Sequence, residues 1–335
     1  MMLWIFLLML SWCCCTALSC PLECICHSSP NGTAVICTSA SITSFPSGVP
    51  NNTTSLSIEF TNLSRIVSQD LEGLSDLQEL HLSSNMLRQL PPDFLQHLPH
   101  LHTLDLTSNL LQDDLPPSVF CCAPLRSLVL KGNQLLSANP LWFQGLSNLT
   151  WLDLSDNKLS SLPQAALRHL PHLQVLNLGN NKLEMFPDGW LDVLPELERL
   201  HLGGNQLRSL APDMFEHSLN LMHLQLQNNA LQKLPQGLLH KLSRLDSLSL
   251  EGNRLASVPP GLFDKLERLG LEFGQGLGLS ENPWQCDCSV QYLWQWLKGH
   301  QDKVFFSRDL QCTSPEGLQG RAIMSLTEAE VRASC

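Results

Sequence analysis

The chain has 335 residues, 43% of them hydrophobic and 15% charged, with a formal net charge of −11 and a pI of about 5.5. That composition supplies a sizeable core. It argues against nucleic acid or an anionic membrane as partner and favours a cationic one.

Met1 to Leu10 is almost continuously apolar, and Ala17 and Ser19 are small residues of the kind a signal peptidase accepts. Residues 1–19 are expected to be a secretory signal peptide cleaved before Cys20. No second apolar run of membrane-spanning length follows, so the mature chain is expected to be extracellular, with no membrane partner.

The cysteines that follow cluster at the two ends. Cys20, Cys24, Cys26 and Cys37 lie at the start, and Cys286, Cys288, Cys312 and Cys335 at the end. The C-x-C spacing, with His27 beside Cys26, admits a zinc reading. In an oxidising compartment disulfides are the stronger one. Residues 20–52 therefore read as an N-terminal cysteine cap, with one strand over Ala34–Thr38.

From Leu77 a frame of leucines at positions 1, 4, 6 and 11, with asparagine at position 9, recurs at Leu101, Leu125, Leu149, Leu173, Leu197, Leu221 and Leu245. Each step is 24 residues, which is the signature of a leucine-rich repeat. Residues 53–76 form a degenerate first repeat in which Leu56, Ile58 and Leu63 hold the frame and Thr61 replaces the asparagine. Inside each unit x-L-x-L has the two-residue period of a strand. Leu152 and Leu154 should point inward, and Trp151, Asp153 and Ser155 outward. Asn85, Asn109, Asn133, Asn157, Asn181, Asn205, Asn229 and Asn253 sit where the strand must turn, and their amides can satisfy turning backbone. Pro91, Pro116, Pro163, Pro187, Pro235 and Pro259 forbid long helices on the return path. The expected fold is an α/β leucine-rich repeat solenoid: a curved horseshoe with a parallel concave sheet and an irregular convex side.

Cys121 and Cys122 interrupt one return path. The plainer reading has one of them packed as a small apolar residue; the sharper one is a bridge between chains. After Leu269 the frame slips by five residues, so Glu272–Gly276 should bulge before Leu277, Leu279 and Asn282 resume it. The repeats thus span 53–281, and a C-terminal cysteine cap spans 282–335. In that cap Tyr292, Leu293, Trp296 and Leu297 have helical spacing, and Trp284, Trp294 and Trp296 are expected to form its core.

Catalysis has little support. His81 and Asp105 occupy equivalent places on adjacent strands, but no nucleophile completes them. Gly274 to Gly278 lacks the context of a phosphate-binding loop. No enzyme, cofactor or metal is expected. The sequons at Asn31, Asn51, Asn52, Asn62 and Asn148 are expected glycan sites.

A surface remains. Its outward positions carry the acids Glu59, Glu79, Asp105, Asp153, Asp156, Glu198, Asp246, Glu251 and Glu281, against the bases Arg126, Lys131 and Arg199. An acidic concave face suits a cationic protein, with Trp151 as anchor. The partner-binding set is Glu79, Asp105, Trp151, Asp153, Asp156, Glu198, Asp246 and Glu251.

The segments C-P-L-E-C-I-C at 20–26 and N-P-W-Q-C-D-C at 282–288 resemble the cap modules of extracellular leucine-rich repeat proteins. That resemblance implies Cys20–Cys26, Cys24–Cys37, Cys286–Cys312 and Cys288–Cys335 pairings. The stretches at 55–63, 77–85, 197–205 and 279–287 resemble the family of leucine-rich alpha-2-glycoprotein and the snake-serum beta-type phospholipase A2 inhibitors, more closely the latter. The resemblance implies a secreted serum glycoprotein, oligomeric as a trimer, that captures basic secreted phospholipase A2. The alternative it carries is a plasma signalling or scavenging protein that binds a growth factor or cytochrome c.

Overall fold

The structure is a computed structural model that describes residues 20–333. The leader expected over 1–19 and Cys335 lie outside the described residues. Twelve strands form one sheet in sequence order: β1 (Cys24–Ser29), β2 (Gly32–Cys37), β3 (Thr53–Ile58), β4 (Glu79–His81), β5 (Thr103–Asp105), β6 (Ser127–Val129), β7 (Trp151–Asp153), β8 (Val175–Asn177), β9 (Arg199–His201), β10 (His223–Gln225), β11 (Ser247–Ser249) and β12 (Leu277–Gly278). β1 and β2 pair antiparallel; every later pair is parallel. From β4 to β11 the register follows the period without a slip, Leu80 beside Leu104, Leu128, Leu152, Leu176, Leu200, Leu224 and Leu248.

The leucines form one continuous core. Leu77, Leu80, Leu82 and Leu87 of one repeat and Leu149, Leu152, Leu154 and Leu159 of another are all fully buried. Truncating one of these to alanine should cost about 2–5 kcal/mol. The amide ladder behaves as its position requires. Asn157 Nδ2 donates to Leu130 O of the preceding repeat at 2.9 Å and to Leu154 O of its own at 3.1 Å. Its Oδ1 accepts from Leu135 N at 3.1 Å. In the degenerate first repeat a hydroxyl takes this role: Thr61 Oγ1 accepts from Leu63 N and donates to Asn85 Oδ1.

The convex side is turns and short pieces. Its short pieces include two four-residue 3-10 turns, Ser68–Leu71 and Pro140–Phe143, and a four-residue α-helix, α1 (Gln164–Leu167), which begins just after Pro163, whose fixed φ suits a helix start. Buried aromatics thicken this layer: Trp142 and Trp190 donate from their indole nitrogens to Leu115 O and Leu162 O.

Both ends are closed. At the N-terminus, disulfides Cys20–Cys26 and Cys24–Cys37 pin the β1–β2 hairpin. The strand expected over 34–38 runs from Gly32 to Cys37, and β1 was not expected at all. Its burial alternates only weakly and then gives way to a fully solvated end, so it lacks the apolar period of a strand. At the C-terminus, Cys286–Cys312 joins β13 (Trp284–Gln285) to β14 (Cys312–Ser314). Cys288 is also disulfide-bonded. Helix α2 (Gln291–Gly299) covers the last repeat with Leu293, Trp294, Trp296 and Leu297 buried. Tyr292 ties it down, accepting from Phe263 N and donating to Asp264 Oδ1, each at 2.9 Å. A last helix, α3 (Glu328–Ala333), ends the described chain.

Candidate functional site: the concave face

Because the core leucines occupy alternate strand positions, the residues between them face the concavity. Trp151 stands near the middle of the sheet and is 40% exposed. In register it lies between Ser127 of β6 and Val175 of β8. A large ring between small neighbours, open to solvent, is the geometry of an anchor rather than of a core residue.

The N-terminal side of Trp151 is acidic. Ser57, His81 and Asp105 are in register on β3, β4 and β5. The side chains of Glu59, His81 and Asp105, all half-buried, bring one ligand atom each to within 4.8 Å of one another. Glu79 Oε2 is 3.8 Å from His81 Nε2 and accepts from Ser55 Oγ at 3.3 Å. Glu59 accepts from the hydroxyls of Ser57 and Ser83, and Asp105 from Thr107 N at 2.8 Å. Among the described residues no lysine or arginine forms an ion pair with Glu59, Glu79 or Asp105.

The C-terminal side is different. Arg199 of β9 lies in register with His223 of β10, and His201 follows two places on. Burial holds the His201 imidazole below its ordinary pKa, with Asp153 acting against the shift. Burial and then the Arg199 charge do the same to His223. Of the expected acids here, Glu198 is half-buried where the chain enters β9. Glu251 accepts from Ser249 Oγ, and its carboxylate fills the space over Gly278, where any Cβ would collide with it. Asp156 is exposed but engaged: Lys131 Nζ lies 3.4 Å from Oδ2, and Asn180 Nδ2 donates to Oδ1 at 2.8 Å.

Two expected face residues are not on the accessible face. Asp153 is only 8% exposed. Its Oδ1 accepts from Ser155 N at 2.8 Å and Ser155 Oγ at 2.6 Å, and its Oδ2 from Asn177 Nδ2 at 2.9 Å. Ser155, expected to point out, is buried with it. Strand alternation aims Asp153 into the concavity, but lateral neighbours spend both its oxygens. Asp246 is 3% exposed. Its Oδ1 accepts from Leu271 N at 3.0 Å and Glu272 N at 3.4 Å, so it anchors the inserted loop.

The five sequon asparagines are exposed, and Asn148 shares a recess with Arg126. Neither Cys121 nor Cys122 packs in the core as expected. Cys122 is exposed at φ 75°, Cys121 is half-buried, and the buried places beside them belong to Phe120 and Ala123. Burial and the neighbouring thiol push Cys121 up to about 11, a poor setting for a nucleophile at neutral pH. The disulfides mark an oxidising compartment. Among the described residues no helix is long and apolar enough to cross a membrane.

Comparison with known proteins agrees with the fold. The leucine rich repeat family matches residues 51–111, 123–183, 171–219, 195–255 and 219–271, together more than half of the chain. Phospholipase A2 inhibitor beta of Elaphe climacophora is 48% identical over 61 residues, 18% of this chain and 18% of that protein. Platelet glycoprotein Ib beta chain of Rattus norvegicus is 44% identical over 57 residues, 17% of this chain and 27% of that one. The matched segments span about a quarter or less of these relatives. A chain from an octameric complex of Latrophilin 3, Unc5D and FLRT2 superposes with a TM-score of 0.75 at 24% identity, covering 94% of this chain and 100% of that one. With the 24-residue period, the parallel concave sheet and the asparagine ladder, these matches place the chain in the leucine-rich repeat family.

Proposed function

We propose that the chain is a secreted inhibitor that captures a basic phospholipase A2 on its concave face. The observation that carries this reading is the acidic group Glu59, Glu79 and Asp105, unpaired by lysine or arginine among the described residues and on the same concave sheet as the exposed Trp151, with β6 between Asp105 and the indole. A basic enzyme would meet the carboxylates first, and the indole would then anchor it beside them. The phospholipase itself is suggested by the Elaphe climacophora inhibitor, 48% identical over 61 residues. Blocking then needs no chemistry: a folded partner held in the horseshoe has its lipid-facing surface covered.

Asp105, Glu79 and Trp151 are the primary contacts in this reading, with Asp156 in the turn after β7 and Glu198 and Glu251 farther along the sheet as outer contacts. Asp153 and Asp246 serve the scaffold. The glycans at the sequons and a trimeric assembly belong to the same proposal. Intact mass before and after deglycosylation tests the first, and light scattering of the secreted protein tests the second. The deciding experiment is inhibition of basic and acidic secreted phospholipases at rising salt. Inhibition confined to the basic enzyme and weakened by salt is expected. No inhibition of either rejects the function, and equal inhibition of both rejects the electrostatic account.

A further inference from the structure

The carboxylates on β4, β5 and the turn after β3 present a physical problem that partner binding does not solve. Glu59 and Asp105 come within 4.8 Å of each other beside His81, where like charges repel, and Glu79 adds a third carboxylate 3.8 Å from the same imidazole. Each is half-buried, and among the described residues none has a lysine or arginine to offset it. The one other ionisable group in their midst is His81. Its Nε2 is 3.8 Å from Glu79 Oε2, and it shares the 4.8 Å cluster with Glu59 and Asp105.

We propose that this cluster is a zinc site, with His81, Glu59 and Asp105 as ligands and Glu79 as the fourth. The ligand set is one imidazole and carboxylates, which suits zinc, whereas calcium takes oxygen alone. Ligands that share a tetrahedral zinc at about 2.1 Å stand roughly 3.4 Å apart. The Glu79–His81 separation of 3.8 Å is close to that. The Glu59, His81 and Asp105 ligand atoms, within 4.8 Å of one another, would draw together around the ion by side-chain torsion on an open face.

The surroundings are those of ligands held in place. Ser57 and Ser83 donate to Glu59, Ser55 to Glu79, and Thr107 N to Asp105. Hydrogen bonds of this kind fix the orientation of metal-binding carboxylates and strengthen the site. Nothing in the repeat demands these side chains: the places equivalent to His81 and Asp105 hold Ser57, Val129, Asp153, Asn177, His201, Gln225 and Ser249 on other strands, and only at His81 and Asp105 do a histidine and an aspartate fall side by side. The inference uses the same carboxylates as the phospholipase reading but does not rest on it, because zinc uptake needs no protein partner.

The test is calorimetric titration of zinc chloride into tag-free, chelator-dialysed protein, with calcium chloride in a parallel run. One zinc per chain, undisturbed by an equal concentration of calcium, is expected. His81→Ala should weaken that binding at least about tenfold, and Glu59→Gln with Asp105→Asn should do the same. His240→Ala, on an exposed convex turn, should leave it unchanged. Unaltered melting temperatures of the metal-free variants establish that they are folded. Parent protein that takes up no zinc, a His81→Ala variant that binds as tightly as the parent, or displacement of zinc by equimolar calcium would each overturn the proposal.

Discussion

The two halves of the concave sheet are built on one frame and carry different chemistry. On β3 to β5 the face is carboxylate, steadied by hydroxyls and one imidazole. On β9 and β10 it is Arg199, His201 and His223 beside the half-buried Glu198, while Asp246 is buried under the inserted loop and Glu251 is held by Ser249. The net charge of −11 does not reveal this division. A solenoid sets its leucines by the period but leaves the intervening places free, so neighbouring segments can diverge without disturbing the core. Trp151 stands at the seam.

The largest expected effect tests that seam. Trp151→Ala should weaken binding of a basic phospholipase by about 2 kcal/mol or more, roughly thirtyfold, without loss of stability. Calorimetric affinity that stays within twofold would show that the seam is not the anchor. Next comes the distinction between a buried and an accessible aspartate. Asp153→Ala should lower unfolding stability by about 1–3 kcal/mol, because Ser155 N and Asn177 Nδ2 lose their acceptor. Asp105→Asn, which keeps an acceptor for Thr107 N, should change it by less than about 0.5 kcal/mol in urea denaturation. Equal losses would erase the contrast between scaffold and face.

The charge asymmetry is tested by rate. Glu79→Gln with Asp105→Asn should slow association with a basic partner and flatten its salt dependence, leaving dissociation nearly unchanged. Arg199→Gln should leave association unchanged or raise it slightly. Stopped-flow measurement at two salt concentrations distinguishes the halves. The smallest effect is a pH slope. The folded pKa values of His201 and His223 lie below 6.5, so the unfolded chain binds more protons just below that pH. Their contribution is therefore complete above about pH 6.5 and declines as pH falls through the lowered folded values. Melting temperature should drop across that window, and His201→Gln should reduce the drop.

The scaffold was legible because its chemistry repeats. Leucines every 24 residues fix the sheet register, and the asparagines stand at the turn in each regular unit. Strand β1 was missed because Ile25 is exposed and the end of the strand is solvated, leaving no period to detect. The face was only partly legible. Alternation assigns Asp153 to the concave side but not its capture by Asn177, which lies at the same repeat position 24 residues on. That signal was available: lateral pairing matters as much as strand direction. The depth of Asp246 was not, since it depends on how an unrepeated loop folds back. The cluster around His81 lay between the two cases, with His81 and Asp105 readable as neighbours and Glu59 brought in by the turn after β3.

The amide ladder has a direction, and direction matters for a chain made from its N-terminus. Leu87 N is satisfied by Asn109, Leu111 N by Asn133 and Leu135 N by Asn157, each acceptor 22 residues downstream. No regular repeat can complete its own turn; it waits for its successor. On the ribosome the growing edge therefore always carries one open turn, and finished structure trails synthesis by about one unit. At the far end Leu255 N is answered by Asn282, at the threshold of the C-terminal cap. A chain truncated just before that residue would keep every repeat it had made and still leave the last of them unfinished.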